Sequence, residues 1–174
     1  MKHSATTPLT PEAVADVSTA VAQMSLAAKE QLLDELYIEQ PVLLGNIVIL
    51  AKMDMAVQPR EAALDLLLGV IQCVREDLKR HGRIDEAAFE RCLGHNNRMW
   101  QFLEGEDDDG YRRSLSLTLH TYPEPALLGH LVVAMNDLGL DEPKLVLLLK
   151  STLDLCVEAR WGPGSVTGPA TARK

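Results

Sequence analysis

A chain of 174 residues, 47% hydrophobic and 24% charged, has the balance of one ordinary globular domain. At this length roughly 70% of the unfolded chain's surface can be buried, so a core needs neither metal nor disulfide to hold it. A net charge of −8 and only seven aromatic residues exclude the basic face and stacking aromatics of a nucleic-acid binder.

The first twenty residues, MKHSATTPLTPEAVADVSTA, place no long apolar segment behind a basic start, so no secretory signal is expected. The apolar run VLLGNIVILA at 42–51 is ten residues long, whereas a membrane span needs about 20. Neither a membrane nor a nucleic acid is therefore expected as a partner. Cys73, Cys92 and Cys156 are odd in number, far apart in sequence and never in a Cys-x-x-Cys pair. They read as free thiols on packed helices of a reduced, cytoplasmic protein.

No segment alternates apolar and polar residues with the period of a half-buried strand, and helical spacing recurs throughout. The expected fold is all-α, with about eight helices in one compact bundle-like domain. Thr10 before Pro11 starts the first helix, with Val14, Val17 and Val21 on one face. Ser25 caps the second, whose stripe is Leu32, Leu33, Leu36 and Tyr37. Gln40–Pro41 ends it and opens the third. Gln58–Pro59 opens a long fourth helix to about Arg80, closed by Gly82. Asp85 caps the fifth, which runs into an acidic loop at 104–110. A sixth helix is expected over 111–121, a seventh over 124–137 and an eighth over 142–160. In the eighth, LVLLL is nearly continuous, and Lys150, Asp154 and Glu158 mark a narrow polar stripe.

Shifting the sequence by 84 places PVLLGNIVI (41–49) on PALLGHLVV (125–133). Pro41 meets Pro125, Gly45 meets Gly129 and, without a gap, Pro59 meets Pro143. Six of nineteen positions are identical. Such self-similarity predicts an internal duplication of a four-helix unit with pseudo-twofold symmetry. The units would be 1–84 and 85–161, merged into one domain, with 162–174 as a flexible tail. Glycine inside a helix costs about 1 kcal/mol relative to alanine. Gly45 and Gly129 are therefore expected to face neighbouring helices, with their own helices at the centre.

The chemical inventory is thin. No His-Glu-x-x-His pair is present, so no metal or cofactor is expected. The acidic run EGEDDDG lacks the glycine and glutamate positions of a calcium loop. Lys79, Arg80, His81 and Arg83 suit the negative end of a helix. In the tail, GPGSVTG has no P-loop lysine, and Ser165 lacks nucleophile-elbow spacing. No catalytic residue emerges. The expectation is a protein-interaction or regulatory module, partnered by another protein or by a second copy of itself. The alternative is a small-ligand receptor or enzyme with a pocket between the halves. Its candidate residues are His120 and His130, which flank the Tyr122–Pro123 junction, with Asn46, Tyr37 and Tyr122.

Overall fold

Side-chain caps set most of the helix starts. The computed structural model describes residues 7–103 and 105–166, with only the backbone at 108, 111 and 115, and the described residues form nine helices. They are α1 Pro11–Ala22, α2 Leu26–Glu39, α3 Pro41–Ala51, α4 Val57–Cys73, α5 Arg75–His81, α6 Glu86–Leu103, α7 Asp108–Thr121, α8 Pro125–Asp137 and α9 Pro143–Trp161. No strand occurs among the described residues. Thr10, Ser25 and Asp85 each accept the N3 amide hydrogen, from Ala13, Ala28 and Ala88. Glu142 caps α9 through the Leu145 amide at 2.7 Å.

Three expected boundaries move. Helix α4 opens at Val57, so Gln58 and Pro59, expected to open it, lie inside its first turn, where the missing proline amide hydrogen costs no helical bond. The long fourth helix breaks at Val74 (φ −117°, ψ 13°), where the amide bonds back to Ile71 O in a tighter turn. The break re-aims α5 so that Asp77 pairs with Arg160 of α9. The acidic loop also contributes to a helix instead of ending before one. Asp107 accepts the Gly110 amide at 2.7 Å and α7 starts at Asp108, so the negative run lies against the positive end of the helix.

The centre of the molecule is α9, which packs on α3, α4, α5, α6 and α8. All residues from 151 to 158 are buried, so this stretch is enclosed on every side. Here the structure corrects the sequence reading, which put the glycine-bearing helices at the centre. Helices α3 and α8 each pack on α4 and α9 rather than forming a tight pair. A β-carbon added at Gly45 or Gly129 would meet nothing within 4 Å, so neither glycine serves a close approach. The close approach is at Gly69 of α4. A β-carbon there would lie 3.1 Å from Ser18 Oγ of α1.

Two buried polar residues tie the helices end to end. Gln40, just before Pro41, donates to Gly82 O (2.7 Å) and Leu78 O (3.3 Å) and accepts from the Ile84 amide (3.0 Å). Glu124, just before Pro125, accepts from the Leu9 amide (2.8 Å), Arg160 Nε (2.6 Å) and Trp161 Nε1 (2.8 Å). Their backbones share an unusual conformation, φ −141°, ψ 68° and φ −122°, ψ 72°. Of the expected tail, residues 162–166 turn back from α9. Gly164 donates to Glu158 Oε1 and Val166 packs on the core. Residues 167–174 lie outside the described residues.

Two outcomes follow from this packing. Gly129→Ala should raise stability by about 0.5–1 kcal/mol, since helix propensity improves and nothing is crowded. Gly69→Val should lower it by about 1–3 kcal/mol through overpacking against Ser18. Urea denaturation of both variants distinguishes this arrangement from the one read off the sequence. Gln40→Leu should cost about 1–3 kcal/mol in the same assay, because it strips the partner from the Ile84 amide.

Candidate functional site

The second half of the chain forms an open cavity of about 420 Å³, and the described residues lining it all lie between 95 and 166. Helix α6 contributes His95, Asn96, Met99, Trp100 and Leu103, and the end of α7 contributes Thr118, Thr121 and Tyr122. Leu128, Leu131, Val132 and Met135 of α8 face Val146, Leu147 and Lys150 of α9. Ser165 and Val166, from the turn after α9, complete the wall. The cavity is therefore inside the second half, whereas the sequence pointed to a pocket between the halves.

One side of the cavity is polar and built around Asp154, which is fully buried. Its Oδ1 accepts from the Tyr122 hydroxyl at 2.6 Å and pairs with Lys150 one turn earlier. Its Oδ2 accepts from Asn96 Nδ2 at 2.6 Å, and Asn96 also donates to Ser151 Oγ at 3.2 Å. Three donors on one carboxylate compensate for the lost water. The Lys150 ammonium lies 4.9 Å from the centre of the Tyr122 ring, which adds a cation–π contact. Burial, followed by the Asp154 charge and hydrogen bond, pushes the Tyr122 phenol well above its usual range. Burial lowers the His95 imidazole below its ordinary value, which favours the neutral ring.

Of the five candidates taken from the sequence, the cavity contains only Tyr122. His120 is exposed, with Nδ1 against its own helix at Ser116 O. His130 sits 2.7 Å from Ser18 Oγ, a contact between α8 and α1. Asn46 is buried and donates to Thr152 Oγ1 of α9, and Tyr37 is exposed on α2. Among the described residues no group of three or more His, Cys, Asp or Glu is placed to hold a metal ion. Burial lowers the His130 imidazole below its ordinary value, so the Ser18–His130 contact involves a ring that favours its neutral form.

The sequence reading missed Asn96, Lys150, Asp154 and Ser165. It singled out Lys150, Asp154 and Glu158 as a narrow polar stripe without making them part of a site, and Asp154 and Glu158 are buried. A lysine four residues before an aspartate in an otherwise apolar helix was the available sign of an internal pair.

Comparison with known proteins returns no matching family model, no matching curated protein and no matching solved structure. The geometry carries the functional reading by itself.

Burial raises the Cys73 thiol to about 11 and the Cys92 thiol to about 12, and moves Cys156 upward as well. Tyr122 moves in the same direction. Each group holds its proton more tightly folded than unfolded, so its contribution is complete below its unfolded value, 9.0 for the thiols and 10.0 for the phenol, and is lost as pH rises beyond that value. The urea midpoint should therefore be steady up to about pH 8.5 and fall by about pH 10. A Cys92→Ala/Cys156→Ala variant should show a shallower fall over the same interval.

Proposed function

We propose that this chain is a small-molecule-binding protein made of two copies of a helical unit, the second opened into a ligand chamber. The duplication reading matches α1, α2, α3 and α4 with α6, α7, α8 and α9, and takes α5 as the link. Under that match the α1–α4 packing corresponds to α6–α9, α2–α3 to α7–α8, α3–α4 to α8–α9, and α3–α9 to α4–α8. Two hydrogen bonds support it further. The amide of Leu9, two residues before α1, reaches Glu124 of the second unit, and the amide of Ile84, two residues before α6, reaches Gln40 of the first. A two-fold relation requires such reciprocity. Helix α1 also leans on α8 through Ser18 and His130, which is where the halves depart from one another.

One observation carries the functional part. Matching α6 to α1 by their caps pairs Asn96 with Val21, and the offset of 84 pairs Lys150, Ser151 and Asp154 with Leu66, Leu67 and Val70. All four counterparts are buried aliphatic side chains. The first unit thus folds with hydrocarbon where the second carries an ion pair and an amide. A buried ion pair seldom stabilises more than well-packed apolar residues of similar volume. The polar set is better explained by an occupant of the adjoining cavity, whose volume falls within the usual range for ligand pockets. The interaction-module reading leaned on the apolar C-terminal helix, and that helix is covered by the chain itself. No helix among the described residues is long and apolar enough to cross a membrane.

The neutral fluorophore 1-aminoanthracene should bind and shift the emission of Trp100 in the cavity wall. Val132→Trp, which fills the chamber, should weaken that binding at least tenfold without loss of helical circular dichroism. Val48→Trp, at the matching position of the first unit, should leave it unchanged. Equal binding by both variants would refute the chamber.

A further inference from the structure

The chemistry of the wall narrows the class of occupant. This step rests on the ligand-chamber reading above. Most of the surface is aliphatic or thioether, from Met99, Leu128, Leu131, Val146 and Leu147, so the body of the ligand is apolar. Among the described residues lining the cavity Lys150 is the one that is charged, and its ammonium is already paired with Asp154. A carboxylate entering there meets a cation whose charge is cancelled by a buried anion just behind it. An ammonium entering there meets the cation itself. Either head loses its water and gains no net countercharge.

Hydrogen-bonding capacity remains. Lys150 has three ammonium hydrogens, of which Asp154 takes one. Ser165 Oγ is buried and has no hydrogen-bond partner among the described residues. A buried hydroxyl left unmatched costs about 1–3 kcal/mol, so a group in the cavity wall in that state is suited to a ligand atom. The turn that carries Ser165 is held over the cavity by the bond from the Gly164 amide to Glu158 Oε1. Its entry runs through Gly162 and Gly164, both at positive φ (102° and 79°), where a side chain would be strained.

We infer that the chamber takes an apolar molecule bearing an uncharged oxygen function, an alcohol or ketone, whose oxygen accepts from Lys150 or Ser165. Charged amphiphiles of the same length are excluded by the neutral pairing of Lys150 with Asp154.

Isothermal titration of the full chain at about neutral pH with 1-octanol, 2-octanone, octanoate and octylamine tests this. The alcohol and the ketone should bind at least tenfold more tightly than the two ions. From 1-hexanol to 1-octanol, affinity should rise about fourfold per methylene. Ser165→Ala should weaken 1-octanol about three- to tenfold. The same substitution should leave the melting temperature of the free protein unchanged or slightly higher, since it removes an unmatched hydroxyl. Octanoate or octylamine binding as tightly as 1-octanol would overturn the uncharged-head assignment and leave the chamber standing. Unaltered 1-octanol affinity in Ser165→Ala, with Lys150→Met also unaltered, would overturn the oxygen contact. Failure of all four compounds together with 1-aminoanthracene would overturn the chamber itself.

Discussion

The architecture depends on enclosing α9. A helix surrounded by neighbours has no face on which to place its polar side chains, yet this one carries Ser151, Thr152, Asp154 and Glu158 within its most buried stretch. Each is matched inside the protein. Ser151 accepts from Asn96, and Thr152 accepts from Asn46 and donates to Leu148 O. Asp154 has three donors, and Glu158 accepts the Gly164 amide with Arg91 nearby. Because an unmatched buried group costs about as much as several good contacts return, these pairings decide which helices surround α9 and at what height. They fix register more than they add stability.

The second constraint acts at the helix ends. Gln40 and Glu124 each stand before a proline, where the helical conformation is disfavoured, and each turns its side chain into the interior. Gln40 holds the turn between α5 and α6. Glu124 holds Leu9, just before α1, against the end of α9, where Arg160 also meets Asp77. The neutral amide has only carbonyls and an amide to satisfy, whereas the carboxylate has an arginine. Each of these pre-proline residues thus carries the charge that its surroundings require. One tie anchors the α2–α3 junction to the turn before α6, and the other anchors the α7–α8 junction to Leu9 and the end of α9, so the described helices keep one core without a disulfide.

Against that scaffold, the cavity sets aliphatic and thioether side chains of α6, α8 and α9 beside the polar group centred on Asp154. Asp154 and Lys150 belong to one helix, but Asn96 reaches Asp154 from α6 and Tyr122 reaches it from the end of α7. Three segments of the chain therefore fix the polar side of the cavity.

Much of the secondary structure was legible in the sequence because its determinants are local. Thr10, Ser25 and Asp85 act on amides three residues away, and Pro41, Pro125 and Pro143 open helices at the positions where a missing amide hydrogen costs nothing. Helical periodicity and the absence of alternation fixed the all-helical class. Tertiary structure decided the rest. Burial of Val74 in the core accompanies a break that no proline or glycine announces. The open space beside Gly45 and Gly129, and the contact at Gly69 instead, depend on which helix happens to lie opposite. Likewise, Lys150 and Asp154 read only as part of a narrow polar stripe until Asn96 of α6 and Tyr122, just after α7, reach Asp154. A sequence records which side chains share a helical face. Whether that face meets solvent, hydrocarbon or a cavity is settled only when the helices pack.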